Sequence, residues 1–291
     1  IFDIKKLAYP MSILGLGLAT ILTWQNYTLF PTYGDFGGMI QQSAMGTAFQ
    51  TILLLTALLW FLLSKSFFEN ETNEIDHISM ILFALAGACM LPIFKNLIVL
   101  FLGIEILSLS LYVLAGSNKK QEASAEAGMK YFVMGSFFSG FLLLGIALLY
   151  GDTGSFNIQD IHTFLQYQPL SPLGIVGIIC LLTSLLFKIA AIPFHFWAPD
   201  VYEGSPTVVT AFMATIVKTA VFAAFFILIQ GASNDVNYFW KDIFASAAGI
   251  SMFVGNLLAV FQSNVKRMLA YSSIAHAGYM LIGLLLPGDA W

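Results

Sequence analysis

Charge is scarce in this sequence. Asp, Glu, Lys and Arg together make up 10% of its 291 residues, and Arg267 is the single arginine. Soluble domains run near one quarter charged, so a water-soluble globular fold is excluded. A net charge of −4 with one arginine leaves no basic face for nucleic acid. Cysteine is also rare. Cys89 and Cys180 lie far apart in apolar runs, without the spacing of a disulfide framework, a zinc site, an iron–sulfur cluster or a haem attachment, and they read as small packing residues. No linker of low complexity divides the chain. What is abundant is apolar: 58% of residues are hydrophobic and 27 are Phe.

Apolar runs of about 18 residues or more read as membrane helices. Nine are present, at 7–24, 43–63, 78–94, 97–115, 127–150, 171–200, 207–230, 243–262 and 268–287. The fold class is therefore an all-α integral membrane helix bundle. The second run is the weakest, because Gln42, Ser43 and Gln50 dilute its start. Only Lys95 and Asn96 separate the third and fourth, so these form a tight hairpin. The sixth is too long for one straight span. It holds Lys188 at its middle and Pro193 five residues later, and a proline inside a helix removes a hydrogen bond and clashes with the preceding turn. Gly135, Gly140 and Gly145 allow close helix packing within one span.

Loop lysines and arginine set orientation. Lys5, Lys6, Lys65, Lys119, Lys120, Lys266 and Arg267 fall on one side, and only Lys95 and Lys241 on the other. This places the start of the chain in the cytoplasm or its organellar equivalent. The chain opens on Ile1, shows no cleavable leader and closes on Trp291 a few residues after an apolar run. It is expected to be part of a longer protein.

The few charges inside the spans are the functional signal. Glu105, Lys188 and Lys218 each lie near the middle of an apolar run. A charge there costs on the order of 2.5–3.5 kcal/mol even on the most lenient insertion scale. Such residues face a protein interior or a water-filled cavity, and they mark ion or proton paths. Glu105 and Lys188 are candidates for a switchable ion pair. Lys188 lies beside a helix break, a common way to build an ion site. Glu122, Glu126 and Lys130 are spaced by four and line one helix face, from which Lys130 can also reach the interface. His276, near the middle of the last span, is either a proton relay or a packing residue. His195 after Pro193 is either a relay or a cap. His77 and His162 read as loop residues. Lys266 and Arg267 read as anchors at the membrane surface.

Three segments point to a family. FKIAAIPFHFWAPDVYEGSPTVVTAFMATIVKTAVF (187–222), FLGIEILSLSLYVLAG (101–116) and SNVKRMLAYSSIAHAGYML (263–281) resemble the antiporter-like membrane subunits of respiratory complex I, the proton-pumping NADH:quinone oxidoreductase. Within that family, WAPDVYEGSP (197–206) is similar to the subunit N branch, equivalent to mitochondrial subunit 2. The resemblance runs from about residue 78 to the end. It implies two inverted five-helix repeats. The first would span 78–230 behind leading helices at 7–77, and the second would begin at 243 and be cut off at 291.

The same resemblance implies that Glu105 and Lys188 are the acid and base of a half-channel that includes Lys130. It makes Lys218 the central-axis lysine, with Lys266 and His276 at motif positions. It further implies a proton-translocating subunit with no redox centre of its own. NADH, FMN, iron–sulfur clusters and quinone would be handled by partner subunits. The partners would be the antiporter-like neighbours and the small subunits A, J, K and H. The location would be the bacterial inner membrane, or else a mitochondrial or thylakoid membrane. The rival readings are a cation/proton antiporter subunit, a subunit of a membrane-bound hydrogenase or chloroplast-type dehydrogenase, and a structural spacer.

Overall fold

A computed structural model describes residues 4–29, 33–69, 74–229 and 234–285. The chain is a helix bundle with one small hairpin. Helix α1 (Ile4–Leu29) leads into β1 (Tyr33–Asp35) and β2 (Ile40–Gln42), which pair antiparallel. Then come α2 (Ala44–Leu63), α3 (Lys65–Glu69), α4 (Glu74–Met90), α5 (Leu97–Ala115) and α6 (Glu122–Thr153). After them lie α7 (Ile158–Tyr167), α8 (Pro172–Lys188), α9 (Trp197–Gly204), α10 (Thr207–Phe212), a π-helical turn (Met213–Val217), α11 (Lys218–Ile229), α12 (Asn234–Val260) and α13 (Val265–Gly283).

All nine predicted spans contain helix. Six helical stretches among the described residues are long and apolar enough to cross a bilayer by themselves. The exceptions are α4, α8 and α13. Helix α8 is short because the sixth span is broken, and α4 opens on Glu74, Asp76 and His77. Large apolar side chains on the spans point outward. Leu59, Val113 and Phe137 are each at least 60% exposed, the pattern expected where lipid is the solvent.

Local chemistry places the helix ends. Ser43 caps α2 by accepting from the Gly46 amide, at 3.0 Å. Asn96 caps α5 through the Ile98 amide, at 2.9 Å, which closes the predicted α4–α5 hairpin. Ser171 caps α8, and Pro172 occupies its first turn, where a missing N–H costs nothing. Helix α6 has 32 residues. At 1.5 Å per residue it is about 48 Å long, so its first turns stand outside a hydrocarbon core of about 30 Å.

The break in the sixth span falls at Lys188, five residues ahead of Pro193. The chain then turns through Ala190, at φ 58°, and a cis Ile192–Pro193 bond before α9 begins. Freed backbone at membrane depth must be covered by protein or water. Here the Trp197 indole donates to the Phe187 carbonyl, at 3.0 Å. The Ser251 hydroxyl accepts from the Ile192 amide, at 2.9 Å. Stacked rings clamp the break to α6: Tyr131 on Trp197, centroids 4.6 Å apart, and Phe138 on Phe187, 4.1 Å apart.

Two histidines differ from the sequence reading. His77 lies in α4, buried, with its ring edge-on to Phe67. His162 lies in α7, with Nε2 3.2 Å from the Leu228 carbonyl oxygen. Helix α7 buries Ile158 and Ile161 on one side and exposes polar residues on the other. Such a short amphipathic helix has too few apolar residues in a row to stand out from a loop.

Candidate functional site

Helix α5 presents Glu105, Ser108 and Tyr112 at spacings of three and four, one above another on a single face. Helix α6 answers with Tyr131, Gly135 and Ser139 at spacings of four. The Ser139 hydroxyl donates to Glu105 Oε1 at 2.5 Å. Lys188 reaches in from the end of α8 and is 1% exposed. Its Nζ donates to the Ser108 hydroxyl at 2.7 Å and the Tyr112 hydroxyl at 3.1 Å. Among the described residues no ion pair joins Glu105 to Lys188. Both are held by neutral hydroxyls on the same pair of helices.

Lys218 follows the π turn and opens α11. It is 2% exposed and donates to the Ser273 carbonyl oxygen of α13, at 2.6 Å. Among the described residues no carboxylate faces it within ion-pair distance. His276, three residues beyond Ser273, is exposed, with its ring 5.7 Å from that of Tyr279. The fold therefore places it near the Lys218 helix contact but turned away from it. His195 lies in the break, half-buried, against Phe196 at 5.1 Å.

Lys130 belongs to a second cluster near the bundle end. It pairs with Glu126 at 2.6 Å, as the spacing of four predicts, and with Asp200 of α9 at 2.8 Å. Arg267 of α13 pairs with the same Asp200 at 2.7 Å and with Glu203 at 3.0 Å. Lys266 donates to the carbonyl oxygens of Glu203 and Ser205, at 2.9 and 2.7 Å, and so caps the end of α9. Asp200 is thus the hub that ties α6 to α13.

Composition and spacing assign no role to Asp200 and Glu203 and make Lys266 and Arg267 surface anchors. The signal that could have found the cluster was Asp200 and Glu203 three apart on one short helix, facing the cation pair at 266–267. Single exposed ion pairs contribute little, but Asp200 compensates two cations at once. Asp200→Asn is expected to leave Lys130 and Arg267 facing each other across a neutral amide. The assembled protein should then unfold a few degrees earlier, with a loss of about 1–2 kcal/mol. A thermal melt in detergent checks this, and an unchanged melt would remove the hub assignment.

Residues 95–291 match the family described as NADH:quinone oxidoreductase/Mrp antiporter, TM. NADH-quinone oxidoreductase subunit N of Cytophaga hutchinsonii is 43% identical over 280 residues, covering 96% of this chain and 60% of the relative. A chain of respiratory complex I from Thermus thermophilus superposes with a TM-score of 0.80 at 35% identity, over 96% of this chain and 59% of that one. A chain of the archaeal membrane-bound sulfane sulfur reductase superposes with a TM-score of 0.82 at 27% identity, over 96% and 59%. The chain spans about three fifths of the length of these relatives.

Proposed function

Because this chain belongs to the NADH:quinone oxidoreductase/Mrp antiporter transmembrane family, we propose that it is a proton-translocating membrane subunit of an NADH:quinone oxidoreductase. The observation behind this reading is the pair Lys188 and Lys218. Both are almost fully buried within apolar helices and are bonded only to neutral oxygens. A buried ammonium without a counter-ion is costly and is tolerated where it moves charge. The similarity to subunit N relatives favours complex I over an antiporter. The partners are then other subunits of that complex, including the antiporter-like neighbours and the small subunits. NADH, FMN, iron–sulfur clusters and quinone are held by those partners. The location is the bacterial inner membrane, and residues 78–230 form the first five-helix repeat.

In the proposed cycle the α5 face is a two-position seat for Lys188. In the arrangement seen here Lys188 rests on Ser108 and Tyr112 and is free of Glu105. A charge change in a neighbouring subunit draws Lys188 toward Glu105 and closes an ion pair, which holds its proton. Reopening the pair lets Lys188 pass that proton toward Lys218. The test is NADH-driven proton uptake in membranes carrying the full-length protein. Glu105→Gln and Lys188→Ala are each expected to cut uptake about tenfold or more, as loss of a positioned proton-transfer group does. Normal uptake in both assembled variants would sink the mechanism.

A further inference from the structure

Two buried hydroxyls stand at the end of α9, the helix that carries Asp200 and Glu203 of the ion cluster. Tyr202 is 2% exposed and Ser205 is 1% exposed. The Ser205 hydroxyl has no hydrogen-bond partner among the described residues, and the Tyr202 hydroxyl has none beyond the Ser273 side chain. Tyr202 lies in the last turn of α9, and Ser205, three residues on, is its C-cap. The Tyr202 hydroxyl approaches the Ser273 side chain, and the Ser273 carbonyl is the acceptor for Lys218. At the other end, the Ser205 carbonyl accepts from Lys266, whose neighbour Arg267 holds Glu203.

An unpaired hydroxyl in an apolar interior is destabilising, and native proteins satisfy nearly all of them, often with ordered water. Two within four residues, one approaching the residue that accepts from Lys218 and the other bonded through its carbonyl to Lys266, call for a shared explanation. A hydroxyl both donates and accepts, which is what a proton relay requires and what a packing residue does not. Phe in place of Tyr202 and Ala in place of Ser205 would serve packing without leaving an orphan.

We propose that Ser205, Tyr202 and Ser273, bridged by ordered water, form the uptake path that carries protons from the Glu203–Lys266 end of the cluster to Lys218. This rests on the proton-translocating reading above. The step balances. A proton arriving from surface water binds the first oxygen of the file, and each oxygen passes its own proton onward as it accepts the next. Neutral Lys218 takes the last one and becomes an ammonium. One proton enters, one is delivered, and every hydroxyl ends as it began.

The test uses the full-length protein in its assembled complex, in inverted membrane vesicles, with NADH as donor. Proton uptake and quinone reduction are followed together in H2O and in D2O. Variants are Tyr202→Phe, Ser205→Ala and the double variant, with Lys218→Met run in parallel. The relay predicts that the double variant assembles but takes up protons about tenfold more slowly, as expected when positioned proton carriers are lost, with an altered ratio of H2O to D2O rates. A packing role predicts the opposite, because removing an unbonded buried hydroxyl is neutral or stabilising. If Lys218→Met slows uptake while the hydroxyl variants match wild type in rate and isotope ratio, the path is overturned and the proton reading stands. If Lys218→Met also matches wild type, the proton reading fails and the path falls with it. Failure of the hydroxyl variants to assemble would show that these oxygens hold the fold, and would overturn the path as well.

Discussion

Lys218→Met in the full-length protein is expected to leave the complex assembled and to lower both proton uptake and quinone reduction by about tenfold or more, a barrier increase of at least about 1.4 kcal/mol. The argument turns on what Lys218 contributes to the fold. Its side chain is 2% exposed, so the stem is enclosed by protein. Among the described residues its ammonium makes one hydrogen bond, to the Ser273 carbonyl oxygen, at 2.6 Å. Met has nearly the same length and flexibility and carries no charge to desolvate, so the swap conserves volume at a cost below about 1.5 kcal/mol. A purely structural lysine would thus be replaced with little harm, or with a gain in stability. A proton carrier cannot be replaced by a thioether at all. The measurement is uptake and quinone reduction in the same vesicles, normalised to assembled complex. Wild-type values for both would make Lys218 structural.

Gly135→Ala should damage the site without touching any charge. A Cβ at residue 135 would lie 2.0 Å from the Tyr112 hydroxyl oxygen and 2.5 Å from the ring carbon bearing it. Tyr112 has little room to retreat. It is 5% exposed and sits edge-on to Tyr131 at 4.7 Å and to Phe132 at 5.8 Å. Moving it takes away one of the two hydroxyls that hold Lys188. An under-bonded buried ammonium is destabilised by about 1–3 kcal/mol or more, on top of the overpacking strain, itself about 1–3 kcal/mol.

The control lies on the same helix. Gly140 meets nothing within 4 Å, so Gly140→Ala should be neutral or stabilising by up to about 1 kcal/mol through helix propensity. Thermal stability and proton uptake of the two variants, side by side, decide the matter. Equal behaviour would mean that the α5–α6 contact is more forgiving than its geometry. Of the three glycines read from the sequence as packing residues, Gly135 and Gly145 are close contacts, the latter against the Gly177 carbonyl, while Gly140 is open. Spacing alone does not say which side of α6 faces a neighbour.

That difference recurs through the molecule. Length and hydropathy determined the spans, because a bilayer imposes a length on any apolar helix and leaves lipid-facing residues no alternative chemistry. The cost of a charge in hydrocarbon singled out Glu105, Lys188 and Lys218, and the spacing of four placed Glu122, Glu126 and Lys130 on one helix face. Pro193, in an apolar run too long for one straight span, foretold a break in the sixth span. Tertiary structure decided what each charge touches. The π turn at Met213–Val217 shifts the facing of Lys218 by about 100° relative to a straight helix, and no residue in that run announces it. Lys188 ended on Ser108 and Tyr112 instead of Glu105, because reach across a helix pair depends on packing distance and not on spacing along the chain. Asp200 became the hub between Lys130 and Arg267 only once a broken helix had folded back beside two others. Contacts between residues 67 and 70 positions apart are products of packing, and packing is the part of the physics that a linear pattern does not contain.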